Sequence, residues 1–152
     1  MITVVIRNEY SDYYFDKGLY VRVSNAGDGK INVTLINNRG TRLVTKQEVC
    51  SIKNKRECKK IAIQFLKNNS SSYGMKPDTV KLDHEVRYFL VGAIDKAKRQ
   101  VVHQDCWIQV GELKDGVHLS GLGMGDICNT KISSTKEVEK LVINLYKKIT
   151  KI

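Results

Sequence analysis

SIKNKRECKKIAIQFLKN (residues 51–68) and KISSTKEVEKLVINLYKK (residues 131–148) are the two stretches that decide the fold, and they align at a constant offset of 80. In both, apolar residues recur with the i, i+3, i+4, i+7 spacing of an amphipathic helix. Asn54 and Ser134 each stand three residues before a glutamate, which is the arrangement of a capping box. The sequence therefore predicts two helices of the same length, start and buried face. The identical aligned pairs are Ile52/Ile132, Glu57/Glu137, Lys60/Lys140, Ile63/Ile143 and Lys67/Lys147.

A strand-rich stretch precedes each predicted helix. Leu19, Val21 and Val23 alternate with polar side chains, which is the period-2 pattern of a half-buried strand. Glycine-containing turns join neighbouring strands, as in residues 25–29. The predicted strands span 2–8, 19–24, 30–37, 42–52, 80–86, 87–94, 100–110 and 117–132.

The resulting fold class is α+β, with tandem ββββα repeats, mainly antiparallel sheets and one amphipathic helix per repeat. Residues 1–68 form the first half, 69–78 form a linker, and 79–152 form the second half. A helix with four strands buries little apolar surface alone, so we expect the halves to form one compact unit.

The amino-acid composition is that of a globular protein. Hydrophobic residues make up 41% of the 152 residues and charged residues 28%, which is typical of a globular chain. The sequence has no apolar run long enough for a transmembrane helix and no recognisable signal peptide, so we expect a soluble, cytoplasmic protein. In that compartment the default state of the cysteines is the reduced thiol. They are Cys50, Cys58, Cys106 and Cys128.

Charge is the first indication of a partner. The chain has 26 Lys and Arg against 16 Asp and Glu, a net charge of +10. Residues 1–76 hold 14 basic and 6 acidic residues, whereas the remainder holds 12 and 10. Clustered positive charge is what a polyanionic partner requires, although simple solubility would also account for it. The basic start of the first helix, residues 53–60, is interpreted as a solvated outer face.

Patterns of catalytic or metal-binding residues are weak. No nucleophile motif surrounds a serine or cysteine, so we expect a non-enzymatic protein without cofactor or metal. Three carboxylates, Asp83, Glu85 and Asp105, could converge for hydrolysis, but acidic strand residues are more often solvated. His103 and Cys106 are the closest His/Cys pair. No helix directly follows the Gly-x-Gly-x-Gly run at residues 121–125, as a phosphate loop would require. The run favours close packing of a helix or another backbone, with close approach of a flat ligand as the alternative.

Aromatic and basic residues interleave in the first half. Single-stranded nucleic acid binds surfaces that combine phosphate-contacting cations with aromatic rings on which bases stack. Tyr20 and Arg22 fall on one strand face, opposite Leu19, Val21 and Val23. Tyr13 and Tyr14 either join this surface or belong to a loop that folds onto the core. The predicted contact residues are Tyr13, Tyr14, Tyr20, Arg22, Lys30, Arg39, Arg42 and Lys46.

The segment KGLYVRV (17–23), which leads through a glycine turn into KINVTL (30–35), gives the repeated layout a resemblance to the Whirly and related transcriptional-coactivator single-strand binders. The resemblance implies an exposed sheet that holds single-stranded DNA or RNA through basic and aromatic residues. Carried over to this sequence, those positions are Tyr20, Arg22, Lys30 and Arg42.

Two functional hypotheses follow. The first is a non-enzymatic protein that binds single-stranded DNA or RNA through a basic and aromatic sheet face in the first half. The alternative is a small basic phage or mobile-element inhibitor or accessory protein that binds a host nucleoprotein or defence enzyme. The expected partner is thus a single-stranded nucleic acid or a nucleic-acid-binding protein complex, with no membrane. The second half would complete the core or mediate self-association as a homo-oligomer.

Overall fold

The computed structural model describes residues 1–113, 116–121, 124–128 and 135–151. The strand pairs β1–β2, β2–β3, β3–β4, β6–β7 and β7–β8 are antiparallel, and two α-helices are present in the described chain, so the predicted α+β class is confirmed. Two short 3-10 helices, Ser70–Tyr73 and Pro77–Thr79, lie where the linker is predicted. The main elements are β1 (Ile2–Phe15), β2 (Tyr20–Gly27), β3 (Lys30–Ile36), β4 (Arg42–Val49), α1 (Lys55–Asn69), β5 (Leu82–Asp95), β6 (Gln100–Leu113), β7 (Gly116–Gly121), β8 (Met124–Cys128) and α2 (Thr135–Thr150).

Two strand predictions in the second half are wrong. The segments 80–86 and 87–94 were expected as separate strands, but both lie in the single strand β5. Residues 87–91 alternate between buried and half-buried, whereas residues 82–86 do not, and this change of pattern occurs within the strand rather than at its end. The segment 117–132 was expected as one strand, but it contains the β7–β8 hairpin, in which Gly121 pairs with Met124. Ser134 of the second predicted capping box lies outside the described residues.

The chain divides into two compact units, and their boundaries differ from the predicted halves. The first unit is Tyr10–Val86, and the second unit combines Met1–Glu9 with Arg87–Ile152. The difference arises because β1 and β5 are long, and each contributes residues to both units.

In the first unit, the strand order is β4-β3-β2-β1, and α1 packs on one face of these strands. The register places Val21 opposite Tyr13 and Leu35, which aligns the apolar rows across neighbouring strands. The Asn54 side chain accepts a hydrogen bond from the Glu57 amide at 3.2 Å, so the predicted cap of α1 is present. The helix contributes Cys58, Ala62, Phe65 and Leu66 to the core.

In the second unit, the order is β1-β5-β6-β7-β8, and α2 contributes Val138, Val142, Leu145 and Tyr146 to the core. The Tyr146 hydroxyl donates to the Gln104 carbonyl at 3.0 Å. A Cβ built on Gly121 would lie 3.1 Å from the Trp107 carbonyl oxygen and 3.5 Å from Cδ1 of Ile149. Gly121 therefore has the packing role that its sequence context indicates; Gly123 lies outside the described residues.

Among the described residues, three cysteines are buried and form no disulfide: Cys50, Cys58 and Cys106. Burial raises the pKa of the Cys106 thiol above its ordinary value. None of the helices in the described chain is long and apolar enough to cross a membrane.

Candidate nucleic-acid interface

The first unit has a sheet face opposite the one that α1 covers, and we call it the polar face. Directly paired residues in neighbouring strands point to the same side of a sheet. The pairs Asp12/Arg22 and Arg22/Thr34 therefore place these three side chains on one face. Thr34 and Thr45 extend it to β4, with their hydroxyl oxygens 3.2 Å apart. By the same register the polar face contains Tyr10, Asp12, Tyr14, Tyr20, Arg22, Ser24, Lys30, Asn32, Thr34, Ile36, Arg42, Thr45, Gln47 and the exposed Val49.

At the centre of the polar face is a bidentate ion pair. Arg22 donates from Nε to Asp12 Oδ1 at 2.8 Å and from Nη2 to Oδ2 at 3.0 Å. The Asp12 side chain is 1% exposed and that of Arg22 is 30% exposed. The hydrogen bond with Asp12 raises the pKa of Arg22, so the guanidinium stays charged. Asp12 neutralises this charge locally, and the two hydrogen bonds fix the orientation of the guanidinium.

Aromatic rings flank the guanidinium and form a continuous ladder. Arg22 lies 4.5 Å from the ring centroid of Tyr10 and 5.9 Å from that of Tyr20. Tyr20 stacks on Tyr14 with centroids 5.0 Å apart, and Tyr14 stacks on His84 at 4.6 Å with an interplanar angle of 6°. We call the five residues Tyr10, Arg22, Tyr20, Tyr14 and His84 the stacked ladder. Contacts of this kind contribute about 0.5–1.5 kcal/mol each, so the ladder orders the polar face.

The ladder limits where a base can stack. Tyr14 is stacked between Tyr20 and His84, so both of its ring faces are already occupied. His84 ends the ladder, and its side chain is 52% exposed. Its Nδ1 lies 2.7 Å from the Asp83 carboxylate, which fixes the ring orientation. A planar base can therefore extend the ladder at His84 without disrupting it.

Two exposed cations border the ladder on the same face. Lys30 pairs with Val49 at one end of β3, and Arg42 pairs with Ile36 at the other end. Lys30 and Ile36 are six residue steps apart along β3, a distance of about 20 Å. Over this length a nucleic-acid strand presents several phosphates.

The remaining predicted contact residues lie elsewhere. Tyr13 is fully buried in the core of the first unit, so its prediction as a contact residue is wrong. Residues 13–15 belong to β1 rather than to a loop, and Tyr13 points to the α1 side because it pairs with Val21. Lys46 also lies on the α1 side, opposite Val33, and pairs with Glu48 at 3.0 Å. Arg39 is exposed in the β3–β4 turn.

Two important members of the polar face were not among the predicted contacts. Asp12 follows no motif, and only the strand register shows it opposite Arg22. His84 is 70 positions beyond Tyr14 in the chain, so no local pattern could pair them. Alternation within β1 could have placed Tyr10, Asp12 and Tyr14 on one face had the strand been predicted to its full length.

The structure gives little support for a catalytic site at the three carboxylates or a metal site at the His/Cys pair. Asp105 accepts a hydrogen bond from Arg7 at 2.6 Å, and Asp83 contacts His84. His103 and Cys106 differ by three positions on β6, so their side chains point to opposite faces of the strand. Within the described ranges, no three His, Cys, Asp or Glu side chains come together as metal ligands.

No protein-family model, no curated protein and no solved structure matches this chain.

Proposed function

We propose that this chain is a non-enzymatic protein that binds single-stranded DNA or RNA through the polar face of its first unit. The observation that carries the proposal is the stacked ladder, which ends at the half-exposed His84 on a face bordered by Lys30 and Arg42. Binding of a single strand needs cations along the backbone and an aromatic surface for bases. The polar face combines both.

Each group has a separate role in this proposal. Lys30 and Arg42 contact phosphates and supply most of the salt-dependent affinity of the face. His84 stacks on one base, for which the ladder provides a preordered support. Arg22 and Asp12 hold the tyrosines in place and do not contact the strand.

We also infer that the chain is a tandem ββββα repeat. The order of four strands and a helix occurs twice, and the two helices align at an offset of 80 residues. The resemblance to the Whirly and coactivator single-strand binders likewise remains a proposal about the fold of this chain. The stacked ladder lies within the first unit, but its last member, His84, comes from β5, the first strand of the second repeat, so binding is assigned to the first unit rather than to one repeat.

The test is fluorescence anisotropy with a labelled single-stranded 20-mer. His84→Ala should weaken binding about 5- to 150-fold, since stacking on one base contributes about 1–3 kcal/mol. His103→Ala, which removes a half-buried histidine from β6 of the second unit, is the matched control and should leave affinity unchanged.

The cations are tested in the same assay. Lys30→Ala with Arg42→Ala should reduce the slope of log K against log salt by about 1.4, which is the value for two phosphate contacts on a single strand. The control is Lys96→Ala with Lys98→Ala, two exposed lysines in the β5–β6 turn. Equal effects of the two pairs would show that net charge, and not the polar face, determines binding.

A further inference from the structure

The outer face of α1 carries a concentration of positive charge that the polar face does not use. Arg56, Lys59 and Lys60 are all exposed and lie within the first two turns of the helix. Within the described residues, none of the three has an ion-pair partner. We call these three residues the α1 basic face. Lys53, just before the helix, is also exposed, whereas Lys55 points toward the sheet and lies 3.3 Å from the Ser11 hydroxyl.

This arrangement is unfavourable for the helix itself. Arg56 is three positions from Lys59 and four from Lys60, and like charges at these spacings repel by about 0.2–0.5 kcal/mol per pair. Cations in the first turn also oppose the helix dipole, which favours negative charge there. Glu57 is the one acidic residue in the first two turns. Helix stability therefore does not explain the α1 basic face.

Comparison with the second helix shows that the fold does not require the α1 basic face either. At the offset of 80 residues, Arg56, Lys59 and Lys60 correspond to Lys136, Glu139 and Lys140. Residues 53–60 hold five basic residues and one acidic residue, whereas residues 133–140 hold two of each. Both helices bury an apolar face against their own unit, yet only α1 has this excess of positive charge.

The chemistry of the exposed positions indicates the partner. The exposed residues of this region are all polar: Lys53, Asn54, Arg56, Glu57, Lys59, Lys60, Gln64 and Asn68. A helix that lies on a membrane inserts apolar side chains, and a protein interface centres on apolar or aromatic residues. The outer face of α1 has neither. A phosphodiester backbone, in contrast, is bound by cations alone.

We propose that the α1 basic face is a second contact surface for the phosphate backbone of a nucleic acid, separate from the polar face and independent of base sequence. The inference rests on the proposed function in taking the partner to be a nucleic acid. It adds three cations that do not depend on the stacked ladder. The polar face orients a base, and the α1 basic face supplies electrostatic affinity.

The experiment compares two triple variants with the same change in charge. The test variant is Arg56→Gln, Lys59→Gln and Lys60→Gln; the control is Lys136→Gln, Lys140→Gln and Lys147→Gln, three exposed lysines of α2. Glutamine is a good helix former, so both variants should fold, which circular dichroism checks. The test variant should be as stable as the wild type or slightly more stable. A loss of stability would assign the basic residues a structural role and overturn the proposal.

Binding is measured with two probes, the labelled single-stranded 20-mer and inorganic polyphosphate, a phosphate chain without bases. For the oligonucleotide, the affinity of the test variant at 0.1 M salt should be about 100-fold lower than that of the wild type. The slope of log K against log salt should be less steep by about 2. Both values are those expected for the loss of three phosphate contacts. The control variant should change neither. Oligonucleotide binding that is equal in wild type and test variant overturns this inference and leaves the proposed function standing.

The polyphosphate probe distinguishes failure of the proposed function from failure of the inference about the α1 basic face. Absence of oligonucleotide binding by the wild type would contradict the proposed function. In that case, polyphosphate binding that the test variant loses and the control retains would still support a phosphate-binding surface on α1. Polyphosphate binding that is absent, or equal in both variants, would overturn it.

Discussion

Removal of the Arg22 side chain should destabilise the first unit strongly, because it leaves the Asp12 carboxylate buried without its bidentate partner. Breaking a fully buried ion pair from one side costs about 3–5 kcal/mol. Arg22 is 30% exposed, so water can partly replace it, and we expect the lower end of that range, about 3 kcal/mol. Loss of the contact with Tyr10 adds about 0.5–1 kcal/mol. Arg22→Ala should therefore lower the free energy of unfolding by about 3–4 kcal/mol.

The assay is equilibrium unfolding in urea, with a double-mutant cycle. Asp12→Ala should cost less than Arg22→Ala, about 1–2 kcal/mol, because Arg22 can turn its charge to solvent. The double variant should be about 2 kcal/mol more stable than the sum of the single effects predicts. Arg42→Ala, which removes an exposed arginine from the same face, should change stability by less than about 0.5 kcal/mol. A cost below about 1 kcal/mol for Arg22→Ala, or strictly additive single effects, would refute the structural role assigned to this pair.

Three further predictions concern the second unit and the cysteines. Tyr146→Phe removes a hydrogen bond to Gln104 and should cost about 1 kcal/mol at pH 7 in urea unfolding. Because burial, followed by the Asp105 carboxylate, raises the pKa of Tyr146 in the folded state, its stabilisation is complete below about pH 10 and is lost as pH rises further; the Phe variant should lack this alkaline loss. Gly121→Ala should cost about 1 kcal/mol because its Cβ would crowd β6, whereas Gly111→Ala, with open space at its Cβ, should cost nothing; equal thermal shifts would contradict this packing argument. Cys50, Cys58 and Cys106 should react with a thiol reagent only after unfolding, and rapid labelling of any of them in the native protein, located by peptide mass analysis, would contradict their burial.

Local patterns were sufficient to predict the helices and the orientation of several strands. The predicted N-caps Asn54 and Ser134 placed the helix starts, and the helices begin at Lys55 and Thr135. Alternation around Leu19 correctly placed Tyr20 and Arg22 on one face, because side-chain direction in a strand depends on nearest neighbours alone.

The side-chain placements that the sequence did not predict depend on tertiary structure. Whether Tyr13 points into the core depends on which face α1 covers, and Lys46 lies on the α1 side because of its pairing with Val33. The charge of Arg22 gave no indication that Asp12 neutralises it. His84 joins the stacked ladder only when β5 brings it beside Tyr14. Sequence reasoning therefore placed Tyr20 and Arg22 on the polar face but gave no indication of the ion pair between Arg22 and Asp12.

The salt dependence of single-strand binding tests the central claim most directly. The wild-type chain is titrated into a labelled single-stranded 20-mer at 50, 100 and 200 mM salt, with anisotropy as the readout. The account predicts saturable binding at 50 mM salt and a linear fall of log K with log salt. With Lys30, Arg42 and the α1 basic face all engaged, five phosphate contacts give a slope of about −3.5. No saturable binding at 50 mM salt, or an affinity that does not change with salt, would contradict the account.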